Sequence, residues 1–221
     1  MFKKHFDKKT NITVDFGAEQ YRAKGEELCS NAYNSFYDDN GNFIMILSDG
    51  MGDDDRAAVE SKMAVDLMEQ YANQEPDYNH PLEILNSSLL SNEESLATVD
   101  IVSVDLCSGS AEFYKAGSAP SIIFHNGKVK KVKSISLPAG VLRDISFDTA
   151  LVKCKVGDII VLLTDGAISN GCDWIKDEIL SFRDGNAQDL AEHLCMCACQ
   201  QTTDDYEEDI TVLCAILNKA D

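Results

Sequence analysis

The sequence predicts an α+β protein in which two antiparallel sheets pack face to face, with a helix pair outside each sheet. From residue 98 to 164, short apolar or alternating segments follow one another between Gly and Asn-Gly turns. This pattern is typical of an antiparallel meander rather than of strand–helix–strand units. One pair of helical patterns follows the apolar segment 43–47, and another pair precedes the last apolar segment, 210–217. Packing each helix pair on a sheet would bury every apolar face, which gives a four-layer αββα sandwich.

The first half of the chain combines turn residues with strand and helix patterns. Asn40-Gly41 supplies a hairpin turn before the apolar strand 43–47. The acids at 53–55 can begin a helix, and Pro81 can begin a second one. The predicted strands of this half are 12–16, 28–36 and 43–47. The predicted helices carry apolar stripes formed by Val59, Met63, Leu67 and Tyr71 and by Leu82, Leu85 and Leu89.

The second half begins with the meander and returns to helices before the last strand. A hairpin with Lys128, Lys130, Lys131 and Lys133 predicts an edge strand protected by lysine, and a docking patch for an acidic partner is the alternative. The predicted strands are 98–106, 111–116, 121–125, 129–134, 147–156, 159–164 and 210–217. The predicted helices are 174–182 and 187–201.

Composition and charge restrict the class of partner. The chain has 221 residues, 44% of them hydrophobic, which is sufficient for a sizeable core. The net charge of −19, from 19 basic and 38 acidic residues, would repel phosphate backbones and therefore argues against nucleic-acid and anionic-membrane partners. We predict a basic N-terminal extension at residues 1–11 and one domain at residues 12–221.

The cysteines and the N-terminus predict the cellular compartment. The first residues are charged and lack the apolar region of a signal peptide. No apolar segment approaches the roughly 20 residues that cross a bilayer. Most of the eight cysteines lie inside apolar runs, as Cys154, Cys195 and Cys214 do, where a thiol packs as a small hydrophobe. We expect a cytoplasmic protein without disulfides or direct membrane insertion of this chain, and the cytosolic domain of a longer membrane protein fits the same pattern.

Acids at the ends of apolar strands are the main functional feature. One apolar run ends at Asp49-Gly50, another ends at Asp165-Gly166, and Glu208-Asp209 precedes the last run. A strand end fixes a carboxylate, and glycine lets a backbone carbonyl approach the same ion. Acids that converge from several strands can hold a Mg²⁺ or Mn²⁺ pair, which polarises a phosphoryl group and lowers the pKa of a bridging water. Taken singly, each Asp-Gly pair is simply a turn.

A series of motifs resembles one known family. The motifs are Ser48-Asp49-Gly50-Met51-Gly52, Arg56-Ala57-Ala58-Val59-Glu60-Ser61, Leu137-Pro138-Ala139-Gly140, Leu163-Thr164-Asp165-Gly166 and Glu208-Asp209-Ile210-Thr211-Val212. In this order they resemble the metal-dependent protein phosphatases of the PPM (type 2C) family, and in particular the phosphatase domain of the stage II sporulation protein E group. The resemblance spans roughly residues 12–217.

The resemblance implies a binuclear Mn²⁺ or Mg²⁺ centre at one edge of the αββα sandwich. Asp49 would bridge both ions, and the Gly50 carbonyl would bind one of them. Asp165 would bind the second ion, so that Asp49 and Asp165 are the predicted catalytic residues.

Two positions depart from the family pattern. Asn31 stands where the family has an aspartate that serves the first ion, and it attracts a cation less because it is neutral. Glu208 stands where the last motif begins with a ligand aspartate, and Asp209 follows where the family has Asn or Asp. The extra methylene of Glu208 moves the carboxylate by about 1.5 Å unless the backbone compensates. A misplacement of about 1 Å can reduce a rate ~100-fold. Asn31, Glu208 and Asp209 complete the predicted ligand set.

The resemblance predicts a protein serine/threonine phosphatase that uses a metal-activated water. Its substrate would be a phosphoserine or phosphothreonine on a regulatory protein in a bacterial sporulation or stress circuit. The alternative is a PPM-fold binding module with little or no turnover, because Asn31 and Glu208 replace expected aspartates. A homodimer is compatible with either function.

The tract from His193 to Cys199 contains a second set of candidate ligands. Structural zinc sites usually use CxxC pairs, which this segment lacks. On a helix, Cys195 and Cys199 share a face that Cys197 does not. The pattern therefore favours core packing over metal binding.

Overall fold

The computed structural model describes residues 11–52, 54–75, 77–92, 95–182, 185–201 and 208–220. Residues 1–10 of the predicted extension and Asp53 of the predicted helix start lie outside these ranges. The strands are β1 Ile12–Tyr21, β2 Asn31–Tyr37, β3 Asn42–Met51, β4 Leu96–Asp105, β5 Ser110–Ala116, β6 Ser121–His125, β7 Lys128–Val132, β8 Asp148–Lys153, β9 Ile159–Leu163 and β10 Ile210–Lys219. The helices are α1 Asp54–Tyr71, α2 Asn79–Leu90, α3 Trp174–Ser181 and α4 Ala187–Gln201, with a short 3-10 helix at Asp165–Ile168.

The strands form two antiparallel sheets that face each other. Sheet I has the order β1-β10-β9-β6-β7, and sheet II has the order β2-β3-β4-β5-β8. Apolar residues of both sheets share one core between them. Helices α1 and α2 cover the outer face of sheet II, and α3 and α4 cover the outer face of sheet I. The predicted α+β, four-layer αββα sandwich is therefore confirmed.

Strand alternation directs the acid of β3 towards the space between the sheets. Successive side chains of a strand point to opposite faces. Met45 and Leu47 lie in the core between the sheets, whereas Ile44 and Ile46 pack against the helices on sheet II. The next inward position after Leu47 is Asp49, which lies at the end of this core.

The apolar stripe predicted for α1 coincides only in part with the buried face of the helix. Met63 and Leu67 are partly buried and pack against the core on sheet II, whereas Val59 is 66% exposed. The buried apolar residues are instead Ala57, Ala64, Val65 and Met68. Periodicity alone favoured the large side chains, but the helix approaches sheet II so closely that small residues are needed at its first contact.

Predicted boundaries differ from the observed ones by a few residues. β1 continues to Tyr21 because all ten of its residues pair with β10. β2 begins at Asn31 rather than at residue 28, and β8 is shorter than predicted at both ends. α2 begins at Asn79, so that Pro81 still lies in its first turn.

The lysine-rich hairpin lies where its composition predicts. β7 is the outermost strand of sheet I and pairs only with β6 among the described strands. The predicted edge strand is therefore confirmed, and lysines on an edge disfavour pairing with another chain. Lys131 contacts Asp173 at 2.6 Å. The docking patch stays a prediction.

The sequence predicted buried cysteines, no disulfides and no membrane-spanning segment in this chain. Cys154, Cys195 and Cys214 are buried as expected. All eight cysteines lie in the described ranges, and their thiols are not joined in disulfides. In the described part of the chain, no helix combines the length and apolar character that crossing a bilayer requires.

Candidate metal centre

Asp49 and Asp165 come from different sheets and meet at one edge of the sandwich. Asp49 lies near the end of β3 in sheet II, and Asp165 follows β9 of sheet I at the start of the 3-10 helix. The two side chains are close enough to share a hydrogen bond. Burial, followed by the charge of Asp165, raises the pKa of Asp49 to about 8. Two carboxylates in this position repel each other unless a proton or a cation lies between them.

Gly50 lets α1 pack directly against the end of β3. Its backbone N–H donates a hydrogen bond to the Ser30 carbonyl, with a distance of 3.1 Å from nitrogen to oxygen. A Cβ at this position would lie 1.9 Å from the Ala57 carbonyl oxygen. Only glycine therefore allows the first turns of α1 to lie against the strand beside Asp49.

Replacing Gly50 with alanine is expected to destabilise the fold by about 1–3 kcal/mol and to weaken Mn²⁺ binding, because β3 and α1 must separate. Urea unfolding and calorimetric titration with Mn²⁺ measure the two effects. The control is Gly127→Ala, at a hairpin turn where φ is +74° and no described atom lies within 4 Å of the added Cβ. That change should cost about 1–2 kcal/mol through backbone strain and leave Mn²⁺ affinity unchanged. Equal losses of affinity in both variants would contradict the explanation.

Asn31 lies beside Asp49, and its role as a metal ligand stays a prediction. The two residues are directly opposite each other in β2 and β3, in a pair without ladder hydrogen bonds, where side chains come closest. However, the Asn31 amide is engaged elsewhere. Its Nδ2 donates to Thr211 Oγ1 at 3.0 Å and to Thr164 Oγ1 at 3.4 Å. Asn31 therefore links β2 to the ends of β9 and β10, across the space between the sheets.

Asp209 fixes the loop that precedes β2. Its Oδ1 accepts a hydrogen bond from the Ala23 N–H at 2.6 Å. Its Oδ2 accepts hydrogen bonds from the backbone N–H of Ser30 and, at 2.7 Å, from the Ser30 hydroxyl. Because both oxygens are engaged and the side chain is buried, Asp209 is better suited to hold Ser30 and Asn31 in place than to bind an ion directly.

Glu208 lies against the turn that carries Asp165. A Cβ at Gly166 would lie 2.5 Å from the Asp209 carbonyl oxygen and 3.2 Å from the Glu208 Cβ. The absence of a side chain at Gly166 thus lets the Asp165 turn approach the residues that lead into β10. Glu208 is exposed. Its role as a ligand stays a prediction.

A buried ion pair that was not among the sequence predictions lies next to the site. Lys115 Nζ lies 2.6 Å from Asp100 Oδ2, and each side chain is 1% exposed. The Ser121 hydroxyl of sheet I contacts both groups, at 2.7 Å from Lys115 Nζ and 2.8 Å from Asp100 Oδ2. Burial lowers the pKa of Lys115, although the charge of Asp100 acts in the opposite direction.

A pattern in the sequence could have revealed this pair. Asp100 and Lys115 are directly opposite each other in β4 and β5, at positions whose alternation points into the core. Asp100 is also opposite Leu47, one inward position before Asp49. Together with Asp165 it lines a small cavity between the sheets. The ion pair therefore lies in the core directly next to the two acids of the site.

The donor set suits a hard divalent cation. The carboxylates of Asp49 and Asp165 offer oxygen ligands, which Mg²⁺ and Mn²⁺ prefer. Glu208 and the Gly50 carbonyl stay predicted donors. The raised pKa of Asp49 indicates a place where a positive charge would be stabilised. The residues present therefore fit such an ion.

The fold with this arrangement of acids defines a class, the PP2C-type phosphatase fold. The PP2C phosphatase domain and a fragment of the regulatory domain of SpoIIE from Bacillus subtilis match with a TM-score of 0.84 and 24% identity, over 96% of this chain and 64% of that one. RsbX in complex with magnesium matches with a TM-score of 0.74 and 20% identity, over 93% of this chain and 96% of that one. At these identities the likeness shows the fold.

The family is shown by the sequence. The family model described as stage II sporulation protein E (SpoIIE) matches residues 39–218, and the chain belongs to this family. The stage II sporulation protein E of Priestia megaterium is 27% identical over 212 residues, which cover 92% of this chain and 36% of that protein. That of Bacillus subtilis (strain 168) is 28% identical over 217 residues, which cover 94% of this chain and 26% of that protein. The chain thus spans about a third or less of these relatives, and the predicted resemblance is confirmed.

Proposed function

We propose that the chain is a metal-dependent protein serine/threonine phosphatase that hydrolyses a phosphoserine or phosphothreonine on a regulatory protein. The observation that carries the proposal is the meeting of Asp49 and Asp165, one from each sheet, at the edge of a PP2C-type fold. A phosphate group that reached this edge would be repelled by the acids unless cations were also present. Divalent ions therefore belong to the proposal.

Each site residue has a role in the proposed reaction. Asp49, Asp165, Glu208 and the Gly50 carbonyl would hold Mn²⁺ or Mg²⁺, and the bound ions would supply a water of lowered pKa and polarise the phosphoryl group. Asp209 holds Ser30 next to Asp49, since the Ser30 hydroxyl contacts carboxylate oxygens of both residues.

Family membership supports the proposed substrate class and cellular setting. SpoIIE relatives carry sporulation in their names, and this favours a bacterial sporulation circuit and a cytoplasmic phosphoprotein as substrate. The net charge of −19 disfavours nucleic acid as a partner. We also propose that this domain is the cytosolic part of a longer membrane protein.

A second candidate function is that of a binding module with little turnover. The observation that favours it is the neutral Asn31, whose amide donates to Thr164 and Thr211 beside Asp49. Such a site holds one negative charge fewer than the family pattern, which lowers its affinity for cations.

The two candidates are separated by hydrolysis of p-nitrophenyl phosphate and of phosphorylated sporulation regulators with Mn²⁺ or Mg²⁺, together with calorimetric Mn²⁺ binding. We expect metal-dependent hydrolysis that chelation abolishes. Mn²⁺ binding without hydrolysis of any of these substrates would favour the binding module. If both the wild type and Asn31→Asp fail to bind Mn²⁺ and fail to hydrolyse these substrates, the proposed enzymatic function is contradicted.

Replacing Asn31 with aspartate is expected to raise Mn²⁺ affinity by at least about tenfold, because it adds a negative charge next to Asp49. Calorimetric titration measures the change directly, whether or not the protein is active. The control is Asn218→Asp, which adds the same charge at an exposed position near the end of β10. An equal gain in both variants would show that net charge, rather than the position of residue 31, determines affinity.

A further inference from the structure

A mixed cluster of metal-ligating side chains joins the two helices that cover sheet I. His193 and Cys197 lie one turn apart on α4 and face Glu178 on α3. The His193 Nε2 is 2.8 Å from Glu178 Oε2 and 3.8 Å from Cys197 Sγ. All the donor atoms of the cluster lie within 4.8 Å of one another. We propose that Glu178, His193 and Cys197 form a Zn²⁺ site that ties α3 to α4.

The separations suit one tetrahedral ion. Zinc bonds of about 2.0–2.3 Å to nitrogen, oxygen and sulfur place neighbouring ligand atoms about 3.3–3.6 Å apart. The observed distances from His193 Nε2 lie on either side of this range. Side-chain rotations that move these atoms by a few tenths of an ångström would lengthen the distance from His193 to Glu178 and shorten that from His193 to Cys197. Three protein ligands leave a fourth position for water.

The positions on α4 show why Cys197 differs from its neighbours. Cys195 and Cys199 are buried in the core that α4 forms with sheet I, where core packing was expected. Cys197 is only partly buried and faces the other way, towards Glu178 and His193. Core packing therefore accounts for two cysteines of the tract and leaves the third unexplained.

The ring packing and the exposure of the cluster suit a bound ion, whereas the Cys197 thiol must lose its proton before it can bind one. The His193 ring stacks on Phe182, with ring centroids 6.0 Å apart, which restricts its orientation. Its side chain is 29% exposed and that of Glu178 is 34% exposed, so an ion can reach the cluster from solvent. Burial and the neighbouring Glu178 raise the pKa of Cys197 to about 11. Metal binding would therefore release the thiol proton to solvent.

The ligand chemistry separates this cluster from the candidate centre at Asp49. A thiolate and an imidazole select Zn²⁺ or Co²⁺ over Mg²⁺ and Mn²⁺, whereas the all-oxygen acids at Asp49 and Asp165 suit the harder ions and bind them when they are in large excess. The two sites can therefore be filled independently. An ion between α3 and α4 would fasten the helix layer of sheet I rather than take part in hydrolysis.

The test is a titration of the metal-stripped protein with Co²⁺ in saturating Mg²⁺, which occupies the oxygen site. Because a thiolate ligand gives Co²⁺ a charge-transfer band in the near ultraviolet, we expect this band to grow to one equivalent and to disappear when Zn²⁺ is added. Zn²⁺ in hundredfold excess over its Kd should also raise the melting temperature by about 5–10 °C. Absence of the band in the wild type would overturn the proposal.

Variants decide which residues hold the ion. Cys197→Ser should abolish the band, and Glu178→Gln should weaken Co²⁺ binding at least tenfold because α3 then loses its charged ligand. The control, Cys107→Ser, changes a partly exposed cysteine next to β4 and should leave the titration unchanged. A band that persists in Cys197→Ser, or an unchanged affinity in Glu178→Gln, would overturn the site as proposed. Glu178→Gln retains the thiol, so it tests the site even if Cys197→Ser fails to fold.

Discussion

Replacing Asp49 with asparagine is expected to lower metal-dependent phosphatase activity by at least about 100-fold and to weaken Mn²⁺ binding, because the carboxylate that we propose as a metal ligand is lost. Hydrolysis of p-nitrophenyl phosphate and calorimetric titration with Mn²⁺ measure the two losses. The control is Asp66→Asn on the exposed side of α1, which removes the same charge far from the candidate centre. Retention of Mn²⁺ affinity in Asp49→Asn would contradict the assignment.

In the metal-free protein, Asp49→Asn is expected to raise stability rather than to cause a loss. The folded protein retains a proton on Asp49 up to a pKa of about 8, whereas an unfolded aspartate releases it near pH 4. Between these values the folded state binds more protons, so the free energy of unfolding falls as the pH rises from about 4 to 8. Asp49→Asn should remove most of this slope. At pH 8 and without metal, the variant should therefore be more stable than the wild type.

Urea unfolding of chelated protein at several pH values measures this slope. Saturating Mn²⁺ should restore the stability of the wild type at pH 8 and should do so much less in Asp49→Asn. The control Asp66→Asn should follow the wild type at every pH. Parallel slopes for Asp49→Asn and the wild type would show that Asp49 does not titrate with a raised pKa in the folded protein.

Replacing Lys115 with methionine is expected to destabilise the protein by about 3–5 kcal/mol, since Asp100 would remain buried with its charge uncompensated. Replacing both partners, as Asp100→Leu with Lys115→Met, should recover much of this loss because no unpaired charge remains. Urea unfolding measures both variants.

The matched control for this pair is Lys62→Met. Lys62 also pairs with an aspartate, Asp66, but its side chain is 64% exposed, so the change should cost less than about 1 kcal/mol. A small loss in Lys115→Met would show that the core around β4 and β5 tolerates a lone buried carboxylate. A large loss that the double variant does not recover would show that the unpaired charge of Asp100 is not its cause.

Local sequence patterns predicted the strands and the two central acids. Asp49 and Asp165 were identifiable because each follows an apolar strand and precedes glycine, and because strand alternation determines which side the acid faces. The αββα layers followed from the order of strand and helix patterns. These features depend on residues close together in the chain.

Other features depend on contacts between distant parts of the chain. Asp209 holds Ala23 and Ser30, which precede it by 186 and 179 residues, and no local pattern links them. The predicted face of α1 coincides only in part with the buried face, because the close approach of Ala57 to Gly50, rather than periodicity, determines the rotation of the helix. Cys197 joins Glu178 only because α3 and α4 lie side by side.

The place of β10 in sheet I has a consequence for synthesis on the ribosome. β10 is the last strand of the described chain, yet it lies between β1 and β9, and it pairs with both. Before it is made, β1 has no partner in the sheet, and Asp209 is not there to hold Ser30 beside Asp49. A nascent chain that ends before β10 therefore carries Asp49 and Asp165 without the strand that aligns them. The centre can therefore form only after β10 has been synthesised, and products truncated before β10 would lack the organised centre.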